Sequence, residues 1–146
     1  MSITFREATI TDLPDIVHML ADDFFGQQRE RFEDPLPESY INAFREIEAD
    51  QNNELIVAEL DGEVVGMLQL TFTPSVSFQG GKRCTVESVR IDESHRGKGF
   101  GREMMLWAVG RAKREGCVSM QLTTHSERVD AQRFYEGLGF SKPTSG

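Results

Sequence analysis

One glycine-rich segment, Arg96-Gly97-Lys98-Gly99-Phe100-Gly101, constrains the fold of this chain more than any other feature. A strand-like pattern over residues 84–91 precedes it, and a helical pattern follows it as far as Glu115. A helix N-terminus presents unpaired N–H groups and the positive end of the helix dipole, and glycines let an anion approach the backbone. We therefore predict an anion-binding turn here, called the glycine turn (residues 96–101) below.

Positive side chains surround the glycine turn. Arg96, Lys98 and Arg102 lie in a stretch with no acidic residue, although the chain has a net charge of −8. This local reversal of charge suits a phosphate group. An ordinary strand-to-helix turn with basic surface residues is the alternative interpretation. Spacing excludes two other phosphate motifs, because Gly99 rather than Ser or Thr follows Lys98, and Met104 stands where a dinucleotide fingerprint needs its third glycine.

Composition narrows the class of protein. A length of 146 residues with 38% hydrophobic and 27% charged residues predicts one globular domain covering residues 1–146. No apolar stretch approaches the roughly 20 residues of a membrane span, and no secretory signal is visible, so we expect a cytoplasmic protein without a membrane partner. The negative charge disfavours nucleic acid, and the scattered cysteines and histidines predict no metal site.

The apolar periodicity predicts an alternating α/β domain, in the order strand, two helices, three strands, helix, strand, helix, strand. We expect the strands at residues 3–8, 54–60, 63–72, 84–91 and 118–124 and at Phe140. Asp61-Gly62 is a strong hairpin signal between two of them. Thr11 or Asp12 should begin the first helix and Gly26 should end it, and Pro37 should begin the second.

Three linked segments resemble the GNAT superfamily of N-acetyltransferases. Arg96, Gly99 and Gly101 fit the Q/R-x-x-G-x-G/A pattern of its acyl-CoA loop. Val89-Arg90-Ile91-Asp92 is similar to the family's fourth strand, and residues 131–140 are similar to its closing A-x-x-F-Y-E-x-x-G-F segment. The resemblance implies the GNAT fold of the α/β (α+β) class, with a central mixed, mostly antiparallel sheet flanked by helices. It also implies transfer of acetyl from acetyl-CoA to a primary amine of a small molecule or peptide in a ternary complex.

The resemblance also assigns the cofactor contacts. Main-chain N–H groups of the glycine turn would bind the CoA pyrophosphate, with positive charge from Arg96, Lys98 and Arg102. The backbone around Arg90 would pair with pantetheine through Val89 and Ile91. Arg128 stands where many family members carry asparagine, so a usual cofactor contact is either lost or replaced by a cation.

Two residues are candidates for acid–base chemistry. Tyr135 matches the family position of the general acid, and a hydroxyl with a pKa near 10 is protonated at neutral pH. Its alternative role is an aromatic core residue on an amphipathic helix. Glu87 is the base candidate, because strand alternation should place it on the otherwise apolar face of Val89 and Ile91. A solvated or ion-paired glutamate is the other interpretation.

The C-terminal end of the sequence departs from the family pattern. Family members continue through a seventh strand, whereas this sequence stops six residues after Phe140, so that strand is either absent or supplied by a second chain in a homodimer. A non-catalytic acyl-CoA-binding sensor or regulatory module is the alternative function. The acceptor is expected between the first two helices and the loop at residues 74–81. An excess of acidic residues there is compatible with a cationic amine, and a solvated charged loop is the alternative interpretation.

Overall fold

A computed structural model describes residues 3–122, with the backbone alone for Phe24. The five strands are β1 (Thr4–Glu7), β2 (Asn53–Leu60), β3 (Glu63–Thr73), β4 (Lys82–Ile91) and β5 (Cys117–Leu122). The helices are α1 (Leu13–Leu20), α2 (Phe24–Arg29), α3 (Glu38–Ala49) and α5 (Phe100–Arg114). The segment α4 (Ser77–Gly80) is a single turn in which Phe78 and Gln79 have left-handed φ values of 53° and 59°. Short 3₁₀ segments, Ile10–Asp12 and Glu93–His95, precede α1 and the glycine turn.

The strands form one sheet in the order β1-β2-β3-β4-β5. Strands β1 to β4 pair antiparallel in sequence order, and β5 joins β4 in parallel. The predicted mixed, mostly antiparallel sheet is therefore confirmed. The helix and strand predicted at residues 131–138 and Phe140 lie outside the described residues. Within residues 3–122, no helix is both long and apolar enough to cross a membrane.

Turn residues set the register of the central strands. Asp61 and Gly62 have φ values of 51° and 82°, the left-handed backbone that tight antiparallel hairpins favour. The Asp61-Gly62 hairpin is thus confirmed. At the end of α5, Gly116 has a φ of 83°, which a residue with a side chain rarely adopts, so it stops the helix as expected.

Each face of the sheet buries a separate apolar cluster. On one face, α5 packs against the central strands through a stripe of four buried residues: Met104, Met105, Ala108 and Ala112. On the other face, α1 and α3 cover a second cluster with their buried side chains: Leu13, Ile16, Val17, Met19 and Phe44. The sheet is therefore the middle layer of three, which is why β2 and β3 are buried almost continuously.

The first predicted helix is divided in two. Gly26 does not end it, because α1 stops at Leu20 and α2 begins after Asp23, whose carboxylate accepts a hydrogen bond from the Gly26 N–H at 2.6 Å. A Cβ on Gly26 would lie 1.8 Å from the Leu20 carbonyl oxygen. The glycine is needed for this close approach, so the expected boundary was wrong.

The start of α1 is held by an ion pair between the buried carboxylate of Asp12 and the half-buried guanidinium of Arg6. The Asp12 carboxylate is 8% exposed and accepts two hydrogen bonds from the Arg6 guanidinium, at 2.7 and 3.0 Å. It also accepts one from the Thr9 N–H at 2.7 Å. These bonds, the Arg6 bonds above all, lower the pKa of Asp12 below its ordinary value. They connect β1 to α1 and fix the position of that helix over the sheet.

Replacing Asp12 by asparagine should lower the free energy of unfolding by about 1–3 kcal/mol at pH 7, because the buried carboxylate loses its charge-assisted hydrogen bonds to the half-buried Arg6. Because the pKa of Asp12 is lower in the folded than in the unfolded state, its ionised carboxylate stabilises the folded protein at pH values above the unfolded pKa of about 3.9. This stabilisation is lost as the pH falls through the pKa of Asp12 in the folded state. The difference between wild type and Asp12→Asn should therefore shrink below about pH 4. Urea unfolding at pH 7 and at pH 3 measures it.

Asp15→Asn is the matched control, since Asp15 is an exposed carboxylate of the same helix that forms no ion pair within residues 3–122. Equal urea midpoints at pH 7 for Asp12→Asn and wild type would show that the pair contributes nothing.

Candidate functional site

A β-bulge interrupts β4 where the strand approaches the glycine turn. The register shifts between two cross-strand pairs with β3: Gln69–Glu87 and Met67–Arg90. Ser88 and Val89 therefore lie together opposite the single residue Leu68. Ser88 has a φ of 58°, an uncommon conformation for a residue with a side chain that accommodates the extra residue. The alternation of side chains between the two faces changes at this point.

The bulge separates Glu87 from the residues expected to share its face. Val89 and Ile91 pack against the cluster beneath α5. Glu87 is the cross-strand partner of Gln69 and shares its face, which α1 and α3 cover. The expected common face of Glu87, Val89 and Ile91 was therefore wrong, because unbroken alternation does not hold across a bulge. The Glu87 carboxylate lies on the side opposite α5.

Beyond the bulge, β4 extends past the described part of β5. Among the described residues, pairing of the two strands ends at Val86–Leu122, five residues before the end of β4 at Ile91. The Asp92 N–H then donates to the Val65 carbonyl at 2.8 Å, which fixes the exit of β4 toward the turn. The backbone roles assigned to Val89, Arg90 and Ile91 in binding pantetheine stay predictions.

The glycine turn has the backbone that an anion site requires. Gly97 and Gly99 are exposed, with φ values of 78° and 83°, and Gly99 is the N-cap of α5. The Glu103 N–H donates to the Gly99 carbonyl at 3.2 Å. The N–H groups of Phe100, Gly101 and Arg102 precede this first helical bond and point toward the helix N-terminus. A Cβ on Gly97 or Gly99 would meet no atom of residues 3–122 within 4 Å, so this part of the chain leaves the space over the turn open.

The basic residues of the turn divide into two kinds. Arg96 donates from Nε to the Ile91 carbonyl at 3.1 Å and pairs with the Asp22 carboxylate at 3.3 Å. Lys98 and Arg102 are exposed and form no ion pair within residues 3–122. Their charges are thus available to an anion at the helix N-terminus, whereas the Arg96 side chain also holds the turn against the end of β4.

A second ion pair lies beside that of Arg96 with Asp22. The buried Arg90 guanidinium pairs with the Asp23 carboxylate at 3.4 Å and donates to the Val89 carbonyl at 3.0 Å. Residues 21–23, which connect α1 to α2, are therefore tied both to β4 and to the glycine turn. Sequence reasoning did not find these contacts, because 74 residues separate Asp22 from Arg96 and no local pattern connects them.

The 3₁₀ segment before the turn is closed by side-chain hydrogen bonds. The Asp92 carboxylate accepts bonds from the Ser94 hydroxyl at 2.5 Å and the Ser94 N–H at 3.3 Å, and it lies 3.1 Å from His95 Nδ1. The Ser94 hydroxyl is the main cause of a lowered pKa of Asp92. This carboxylate fixes the backbone that leads into the turn. The remaining predicted site residues, Tyr135 and Arg128, lie outside the described residues.

Residues 13–140 match the sequence profile of the acetyltransferase (GNAT) family. The chain belongs to the GNAT acetyltransferase family. Its sheet and flanking helices are those of this fold, so both the resemblance and the predicted fold class are confirmed. GNAT enzymes use acetyl-CoA, and the similarity to named acetyltransferases supports the prediction that this protein is an acyltransferase.

Individual relatives cover nearly the whole chain. An L-methionine sulfoximine/L-methionine sulfone acetyltransferase of Pseudomonas aeruginosa is 29% identical over 143 residues, which are 96% of this chain and 81% of that one. A crystal structure of a transcriptional regulator from Bacillus halodurans is 54% identical with a TM-score of 0.95, covering 99% of this chain and 97% of that one. A predicted acetyltransferase from Clostridium acetobutylicum, solved with acetyl-CoA, has the same fold at 16% identity, with a TM-score of 0.74 and 99% and 94% coverage.

Replacing Gly99 by leucine should weaken acetyl-CoA binding by at least about 100-fold, because a side chain would fill the space over the glycine turn and would strain the left-handed backbone at this position. Isothermal titration with acetyl-CoA measures this loss.

Gly116→Leu is the matched control, since Gly116 has the same φ of 83° and open surroundings but lies at the opposite end of α5. Both variants carry similar backbone strain, and the control should keep acetyl-CoA affinity. Equal affinities for wild type and Gly99→Leu would contradict the anion site.

Proposed function

We propose that this protein is an acetyl-CoA-dependent N-acetyltransferase that transfers the acetyl group directly to a primary amine of a small molecule or peptide. The observation that carries the proposal is the continuous path from the bulge at Ser88, along β4, to the open glycine turn at the N-terminus of α5. Family membership supports acetyl-CoA as the donor, and this path supports the proposed position of the cofactor along β4 and over the glycine turn.

The residues of the path fit acetyl-CoA group by group. The N–H groups that precede the first α5 hydrogen bond, with the exposed charges of Lys98 and Arg102, suit the pyrophosphate. The β4 backbone from Val89 to Ile91 suits the amide-containing pantetheine arm, because an extended ligand pairs with a strand edge through main-chain groups. Bound acetyl-CoA supplies a thioester whose carbonyl carbon an amine can attack.

The chain's own residues would handle the protons. Glu87, on the face opposite α5, would accept a proton from the attacking amine, directly or through water. The Val89 N–H, beside the bulge, would stabilise the charge that develops on the carbonyl oxygen. The Tyr135 hydroxyl would give its proton to the departing thiolate as the carbon–sulfur bond breaks. The products would be an N-acetylated amine and free CoA.

One specific observation favours a second function. The 54% identical protein from Bacillus halodurans is called a transcriptional regulator, whereas the 29% identical protein from Pseudomonas aeruginosa is called an acetyltransferase of methionine derivatives. An acyl-CoA-binding sensor that regulates a partner without turnover would have the same glycine turn. The two functions differ in whether free CoA is released.

A thiol-release assay distinguishes them. Purified protein, with acetyl-CoA and a panel that includes methionine sulfone, other amino acids, alkylamines, polyamines and peptide N-termini, should release CoA at above the background rate with at least one amine. Mass spectrometry should find a matching acetylated amine. If acetyl-CoA raises the melting temperature but no amine of the panel releases CoA, the sensor is the better account.

Replacing Tyr135 by phenylalanine should lower kcat about 10-fold or more, because the proton donor for the thiolate is lost. The affinity for acetyl-CoA, measured by titration, should change little, since phenylalanine keeps the ring. An unchanged kcat would exclude Tyr135 as the general acid.

A further inference from the structure

An apolar cavity of about 120 Å³ lies between α1, α3 and the sheet. Of the twelve residues within 3–122 that line it, ten are aliphatic, aromatic or methionine, and Gln69 and Ser88 are the two polar ones. None of the twelve is charged. Ala43 is exposed and also lines the cavity, so it lies at the mouth. An apolar space of this kind gives up little water when a hydrocarbon group enters it.

The polar end of the cavity adjoins the proposed reaction site. Ser88 is the bulge residue of β4, and Gln69 is the cross-strand partner of Glu87. Both also line the cavity. A molecule whose amine lies near Glu87 would therefore have this apolar space beside it, on the same face of the sheet.

The acidic residues around α1 and α2 do not favour a cationic substrate chain. Four of them form ion pairs with basic side chains: Asp22, Asp23, Glu30 and Glu33. The Tyr40 ring lines the cavity, while its hydroxyl donates to Glu30 at 2.8 Å and accepts from the Arg31 N–H at 2.9 Å. The phenolic oxygen is thus satisfied outside the apolar space. A charged chain end would find no counter-ion among the lining residues that the structure describes.

We propose that this cavity binds the apolar side chain of the amine acceptor, with the reacting nitrogen at the Glu87 and Ser88 end. The inference rests on the proposed function and specifies its substrate class. An apolar cavity of about 150 Å³ holds a benzene molecule, so about 120 Å³ fits an unbranched, uncharged chain of about four carbons. Amines with a second cationic group would be poor acceptors, because the charge would be buried without a partner.

A series of unbranched primary amines from methylamine to octylamine tests this assignment by thiol release. We expect kcat/KM to rise about 4-fold for each added methylene up to about four or five carbons, and then to stop rising. Diamines of equal length should be at least about 10-fold poorer than the corresponding alkylamines. If kcat/KM did not depend on chain length, or if diamines were preferred, the assignment of the cavity would be wrong, although acetyl transfer itself would be established.

Ala43→Leu narrows the mouth of the cavity and should abolish the dependence on chain length while leaving acetyl-CoA affinity unchanged. Asn42→Leu is the matched control, because Asn42 is the preceding exposed residue of α3 and does not line the cavity. Equal length dependence in the two variants would contradict the cavity as the acceptor site. Release of no CoA with any amine would instead reject the proposed enzyme itself, and the inference with it.

Discussion

The single extra residue in β4 determines which side chains of this strand face each side of the sheet. Because Ser88 has a φ of 58° and lies with Val89 opposite Leu68, the strand delivers Val89 and Ile91 to the α5 side while Glu87 stays on the α1 and α3 side. Without the bulge, the carboxylate and the two aliphatic residues would share a face. The proposed base and the proposed acceptor cavity are therefore together on one face, and the apolar packing beneath α5 is on the other.

The position of the glycine turn depends on how α5 is held. At the C-terminal part of the helix, the Arg111 guanidinium donates to both Glu54 oxygens at 2.9 and 2.5 Å and lies 5.1 Å from the centre of the Phe72 ring. Near the N-terminus, Arg96 connects the turn to Ile91 and Asp22. In addition to its apolar packing, α5 is therefore held to the sheet by polar contacts near both ends. These contacts fix the direction of the N–H groups at its N-terminus.

Local signals made much of the fold predictable. Asp61-Gly62 and the glycines at both ends of α5 each specify a backbone conformation that few other sequences favour, and the structure follows them. The pattern of residues 84–91 predicted a strand but not the bulge within it. The bulge has a weak signal in the sequence, because the apolar residues of β4 change phase by one position between the pair Cys84 and Val86 and the pair Val89 and Ile91. Alternation counted from Glu87 onward passes over this shift, and Ser88 carries no glycine signal. The break between α1 and α2 was missed because the apolar stripe continues across it. The ion pairs of Asp22 and Asp23 depend on contacts distant in sequence, which a periodic pattern cannot indicate.

The central claim is that acetyl-CoA binds along β4 and across the glycine turn. Amide hydrogen exchange, followed residue by residue by NMR with and without acetyl-CoA, tests it directly. The account predicts that protection increases most at two places: residues 89–91 and the amides from Gly97 to Arg102. Protection elsewhere in the chain, with exchange at the turn unchanged, would contradict it.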